Sequence, residues 1–378
     1  MTVRAAALLA LTVALGCARA PRAMDLTPEL RLYAPTPRAR LVLEAGAADL
    51  DPAVRRHALA ALVYVDPAPA GGPWGPRGAM DPDPYVVRSV MLALGARSDA
   101  ESRAVLTSVA TDVRRECGIR GRAALILRSP GPDDCFAGLL ASAAAGAPGA
   151  GEALAGVVRA GDLPLELDLL RALGRANVPP VGPALAEAVP RAEDTVRLAG
   201  AAALLDYDVR AARAVLEPAL RSNDPDEALE AVELLDAHQS ARADDVLRAV
   251  AGSSTVAGRV AEMILFARGE GRVSRAFDAL GDPDREVRAA ACRALAARLC
   301  VDPDRAGGER ARVALRERLR AADPVVQAAA IGSMDPTLDA DRAALDALLD
   351  HEDPATRVRA AARLTGVDKV LEAGVPPR

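Results

Sequence analysis

Three histidines and five cysteines are the residues of this chain best suited to chemistry. His57, His238 and His351 stand far apart and form no His-x-x-x-His pair. A zinc site needs convergent His, Cys or carboxylate ligands, and this spacing offers none. Asp302-Pro303-Asp304, followed by Gly307 and Glu309, has the acidic look of a calcium loop. Yet Ala306 takes a ligand position, the glycine is displaced and the glutamate comes too soon. That stretch and Asp81-Pro82-Asp83 are read as acidic turns. No Gly-x-x-x-x-Gly-Lys loop is present to cradle a phosphate, and no Gly-x-Ser-x-Gly elbow to present a nucleophile. Gly149-Ala150-Gly151 lacks the third glycine of a dinucleotide fingerprint. Nothing nearby in sequence assembles a nucleophile, a base and an oxyanion donor, although distant residues can converge in space. The expectation is a protein that is not an enzyme, with no cofactor and no metal.

The elements that would position such residues come from a repeated phrase. In GDPDREVRAAACRALAARL (281–299), Asp282 is placed to cap a helix and Pro283 to open it. Asp284 and Glu286 put negative charge at the positive end of the helix dipole. Val287, Ala291, Ala294, Leu295 and Leu299 then recur at helical spacing as one apolar stripe. Related turns begin at Asp51, Asp83, Asp194, Asp224, Asp323 and Asp353. Second helices fill the intervals, as in DAESRAVLTSVA and DVRAARAVLEPALRS. A recurring period of this length is the mark of a solenoid. The reading is all-α: a right-handed α-solenoid of about nine or ten helical hairpins over 38–378, one elongated body.

These units resemble HEAT repeats of the short bacterial kind also found in phycobilisome-lyase-type proteins. The matching residues are the Asp-Pro turn, the Val-Arg pair and the Ala-rich helix, over roughly residues 40–372. An arginine recurs once per unit: Arg55, Arg88, Arg120, Arg197, Arg288 and Arg359. The resemblance implies that each pairs with the turn aspartate of its own or a neighbouring unit. The competing reading is a basic stripe that meets an acidic partner. His351-Glu352 resembles the His-Glu pairs of the HEAT-like deoxyhypusine hydroxylases. That family needs several such pairs to hold two irons, and this chain has one, so that activity is not expected.

The first residues, MTVRAAALLALTVALGCARAPRAM, read as a signal peptide over 1–16. Arg4 is its basic end, and the apolar run Ala5 to Leu15 is too short to span a bilayer. Ala14-Leu15-Gly16-Cys17 resembles a bacterial lipobox, with Cys17 as the lipidated residue. Ala18-Arg19-Ala20 is the alternative, ordinary cleavage site, which would give a secreted or periplasmic soluble protein. Residues 17–37, rich in proline, form the tether. The expected location is the cell envelope, lipid-anchored, on the periplasmic face of the outer membrane. Of the other cysteines, Cys292 and Cys300 fall on one helix about 12 Å apart, too far to bridge. Cys117 and Cys135 sit near the starts of successive antiparallel helices, hence at opposite ends of a hairpin. They can bond only if that region is irregular, and all four are expected as buried small residues.

Hydrophobic residues make up 51% of the chain but aromatics only 2%, so the core must be Ala, Leu and Val. The formal net charge of −5 and the scarcity of rings argue against a nucleic-acid partner. The expected partners are an unidentified protein and, through Cys17, the membrane. The expected role is a protein–protein interaction scaffold. The alternatives are an enzyme or chromophore-handling protein resembling the phycobilisome lyases, and a structural stabiliser of an envelope complex. Two stretches break the phrase. VDPAPAGGPWGPRGAMDPDP (65–84) is too rich in Pro and Gly for regular helix. It holds the only tryptophan, Trp74, which either contacts a partner or folds back as a cap. Residues 141–192 are Gly/Ala-rich and leave the register open. Specificity is expected at these two places.

Overall fold

The computed structural model describes residues 35–366 except 98, 162, 165, 166, 239 and 305; for 167, 168, 171, 194 and 195 it describes the backbone alone. Cys17, the signal peptide and most of the tether lie outside the described residues. The described residues are all-α, with no strand among them. The helices pack neighbour on neighbour, as in an α-solenoid.

The described residues fall into two compact units. The first unit joins both ends of the chain: the described residues through Ser102, and those from Phe266 onward. It contains α1 (Pro37–Gly46), α2 (Pro52–Val65), α3 (Trp74–Ala79) and α4 (Pro84–Arg97). From the C-terminal half come α16 (Val273–Ala279), α17 (Arg285–Val301), α18 (Gly308–Arg318), α19 (Pro324–Ser333), α20 (Asp339–Ala347) and α21 (Pro354–Thr365). One layer runs α17, α19, α21, α2, α4, each helix packed on the next. The second layer, α16, α18, α20, α1 and α3, backs it helix by helix. Among the described residues, the last hairpin therefore stacks on the first. A sequence period cannot reveal this, because any hairpin's apolar flank fits any other's.

The second unit spans Arg103–Leu265. It holds most of α5 (Ala100–Thr111), then α6 (Cys117–Leu127), α7 (Phe136–Ala144), α8 (Ala150–Ala160), α9 (Leu167–Ala176) and α10 (Val181–Ala188). There follow α11 (Asp194–Leu204), α12 (Val209–Leu220), α13 (Pro225–His238), α14 (Ala241–Arg248) and most of α15 (Val256–Ala267). The described residues of 141–192 include α8, α9 and α10; Gly149 and Gly161 flank α8 in the left-handed conformation, while Gly174 and Gly182 lie close against Ala203 and Tyr207. Segment 65–84 likewise carries a short helix, α3, that packs on α2 and α4.

The turn aspartates act locally. Asp51, Asp83, Asp224, Asp323 and Asp353 each accept a hydrogen bond from a backbone N–H in the first turn of the following helix. Asp282 departs from the expectation: it accepts from Asp284 N, and Asp284 is the residue that precedes α17. Asp194 lies inside α11, with Glu193 at the cap position.

Candidate functional site

The expected arginine ladder divides into several environments. Arg55 donates through Nη1 to Asp49 O and Leu50 O, and through Nε and Nη2 to Asp81 at 3.0 Å each. Burial opposes ionisation of Asp81, but Arg55 and the Asp83 N–H outweigh it and hold the carboxyl below its ordinary range. Arg288 repeats the pattern on Asp282 O and Pro283 O, and reaches Asp323 at 3.5 Å. In the last unit Arg357, not Arg359, holds the equivalent carbonyls, those of His351 and Glu352. Arg359 instead sits by His57, whose imidazole is pushed down to about 4 by burial and by the charges of Arg56 and Arg359. Arg88 and Arg197 are engaged by their own neighbours. Arg120 belongs to a different feature, described below.

A second set of ties, missed in the sequence, caps helix C-termini one repeat away. Arg97 donates to the carbonyls of Val63, Asp66 and Ala68 at 2.9, 2.6 and 2.8 Å, and to Asp99 at 2.9 Å. Arg363 donates to Met334 O, Arg242 to Leu205 O and Arg318 to Leu280 O. These carbonyls lie at helix ends, where intrahelical donors run out.

His238 occupies the same kind of place and creates a chemically suggestive line. Its Nε2 lies 3.1 Å from Asp206 Oδ2 and its Nδ1 2.8 Å from Ser240 Oγ. A Ser–His–Asp chain is the arrangement of a nucleophile activated by a base. The repeat explains it otherwise. Asp66, Arg97 and Asp99 stand at separations of 31 and 2. Asp206, His238 and Ser240 stand at 32 and 2. Asp99 caps α5 through Ser102 N, and Ser240 caps α14 through Ala243 N. The Ser240 hydroxyl is therefore a helix cap at a repeat junction. Accordingly, a fluorophosphonate probe should leave Ser240 unlabelled, while Ser240→Ala should lower unfolding free energy by about 1 kcal/mol. Labelling at Ser240 would reinstate the catalytic reading.

Trp74 opens α3 and is half-buried, with Arg77 stacked 5.7 Å from its ring centre. Arg77 also donates to Ala47 O, tying α3 back to the end of α1.

The repeat fails at the junction between α6 and α7. Cys117, the first residue of α6, is disulfide-bonded to Cys135, which precedes α7, with Cα atoms 5.9 Å apart. The two helix N-termini are adjacent, so the packed helices run parallel. The antiparallel placement expected from sequence does not hold, and that is why the bond can form. Nor are all the other cysteines buried: Cys292 is, and Cys300 is exposed. Parallel successive helices need a connection that returns the length of α6, about 16 Å. Residues 128–134 make that return as a Pro/Gly chain where a second-layer helix would otherwise stand. Ser142 Oγ donates to Gly131 O and accepts from Gly131 N, pinning the chain against α7. Gly138 permits this, since a Cβ there would lie 1.8 Å from Pro132 O.

A cavity of about 470 Å³ opens beside this connection. Arg103, Thr107, Ala110 and Thr111 of α5 line one side; Arg120 and Leu127 of α6, with Ser129, Pro130 and Pro132, line the rest. Arg120 pairs through Nη2 with the exposed Asp134, while its buried Nε has no hydrogen-bond partner among the described residues. Cys117, Cys135 and Asp134 bring three ligand-type atoms within 4.8 Å of one another. The two sulfurs are bonded together, however, and it is the free thiolate that binds metal.

No protein-family model and no curated protein matches this chain. Among solved structures, an engineered protein is 18% identical, with 88% of this chain and 99% of that one covered, at a TM-score of 0.26. Human deoxyhypusine hydroxylase, solved in complex with glycerol, is 15% identical, with 87% and 97% covered, at a TM-score of 0.25. Likeness at this level carries no argument about what the chain does.

Proposed function

We propose that this protein is a non-enzymatic HEAT-repeat interaction scaffold of the bacterial envelope, tethered through a lipidated Cys17 to the periplasmic face of the outer membrane. The observation that carries the reading is the stacking of repeated hairpins whose arginines and aspartates are spent on one another. Arg55 on Asp81 and Arg97 on three carbonyls fix the helices and leave the outer faces to vary. Repeat proteins of this kind display extended surfaces to partners. The Cys117–Cys135 disulfide supports export, since such bonds persist in oxidising compartments. No helix among the described residues is long and apolar enough to cross a membrane, and in this reading the lipid at Cys17 is the anchor. The test is co-purification from native membranes with mass spectrometry. A protein partner recovered in stoichiometric amount, lost from the membrane fraction together with the chain in Cys17→Ser, is the expected result. A bound small substrate that is turned over, with no partner, would favour an enzyme.

A further inference from the structure

We infer that the cavity beside the α6–α7 connection binds a monocarboxylate carried on a short apolar body. Three observations point the same way.

The first is the inventory of charge. Arg103 and Arg120 line the cavity, and no acidic residue does. Arg103 has no ion-pair partner among the described residues. It differs in this from the repeat arginines, which are consumed in ties. Arg120 is half committed: Asp134 takes Nη2, but the buried Nε remains without an acceptor. A buried donor left unmade is costly; because this Nε is closed to solvent, it adds positive charge beside the cavity, and a ligand oxygen meets another N–H of the guanidinium. Counting Arg103, Arg120 and Asp134 together, the local charge is that of one cation. One anionic charge on the ligand would balance it.

The second is the character of the walls. Ala110, Leu127, Pro130 and Pro132 give the cavity an apolar side. Its volume lies in the range of small-molecule sites, which pair apolar walls with a few placed polar groups. Thr107 and Thr111 already give their hydroxyl protons to backbone carbonyls one turn back, Arg103 O and Thr107 O. The Ser129 hydroxyl likewise faces Ala124 O, at 3.5 Å, so the charged donors available to a ligand anion are the two guanidiniums. A planar guanidinium suits a planar carboxylate.

The third is rigidity. The connection is held at three points: the disulfide at one end, Ser142 on Gly131 in the middle, and Ser129 N on Ala124 O at the other end. A site on such a frame keeps its shape before binding.

The carboxylate could come from a free acid or from a polypeptide C-terminus. Calorimetric titration of the purified protein with octanoate, and with a pentapeptide ending in free leucine, distinguishes these sources. Octylamine, inorganic phosphate and the peptide amide are the controls. One saturable site for octanoate or the peptide acid is expected, with no binding of octylamine or the amide. Arg103→Gln should weaken binding about tenfold, the worth of one charge-assisted contact, with the melting temperature unchanged. Tighter binding of octanoate assigns the site to free acids; tighter binding of the peptide assigns it to chain termini. The inference is overturned if neither carboxylate binds, if octylamine or the amide binds as well, if phosphate binds in their place, or if Arg103→Gln leaves affinity unchanged. It does not rest on the scaffold reading, since a missing protein partner would leave the octanoate result standing.

Discussion

Arg97→Ala should lower the unfolding free energy of the first unit by about 3 kcal/mol, measured by urea denaturation at neutral pH. The guanidinium is buried and donates to Val63 O, Asp66 O and Ala68 O at the end of α2. Removing it takes this donor from the Val63 and Asp66 carbonyls, while Ala68 O keeps the Gly71 N–H. It also removes one of the donors that, against the cost of burial, keep the Asp99 carboxyl below its ordinary range; Ser102 and Ala70 are the others. A carboxyl so lowered contributes stability above its ordinary pKa and loses it as pH falls through the lowered value. The change should therefore be largest near neutrality and shrink in acid. Arg103→Ala, on an exposed side chain, is the control and should move stability by no more than about 0.5 kcal/mol.

The second large effect belongs to the contact between α1 and α21. Gly46, in the last turn of α1, faces Val358 of α21: a Cβ there would lie 2.6 Å from Val358 Cγ2 and 3.1 Å from Ala58 Cβ. Arg38 and Asp350 form an ion pair across the same junction. Gly46→Leu should cost about 3 kcal/mol by overpacking. Val358→Ala alone also destabilises, by removing buried methyl groups. Combined, the two should be more stable than the sum of the single changes by about 1 kcal/mol, because the smaller residue admits the larger. Simple additivity would mean that α1 and α21 do not touch.

What was legible in the sequence follows the range of the forces involved. Helix caps are local, so Asp51, Asp83, Asp323 and Asp353 could be read directly. At Asp282-Pro283-Asp284 the Asp-Pro pair pointed to Asp282, whereas the residue that precedes α17 is Asp284, as Asp83 precedes α4. Arg97, Arg242 and Arg363 tie repeats through backbone carbonyls about thirty residues away, and carbonyls have no sequence signature. Arg97 and Arg363 stand in the last turns of their helices and Arg242 in the first turn of its own, so no single position marks them. The disulfide was missed because successive helices were assumed antiparallel. The Pro/Gly run at 130–132 was the available sign that a helix was missing and that α6 and α7 run parallel. Conversely, 65–84 and 141–192 looked irregular from composition alone. Gly75, Gly78, Gly174 and Gly182 there allow close approach of neighbours, Gly149 and Gly161 flank a helix, and the place where the repeat breaks is 128–134.

The central claim is that the repeat arginines, Arg120 at the break apart, hold hairpins together and leave binding to other surfaces. The most direct test compares Arg288→Ala with the unaltered protein, both for thermal unfolding and for recovery of the membrane co-purifying partner. Arg288 donates to Asp282 O and Pro283 O and reaches Asp323 of the next hairpin. The account predicts a lower melting temperature with partner recovery retained. An unchanged melting temperature with the partner lost would contradict it, and would make the ladder a binding stripe.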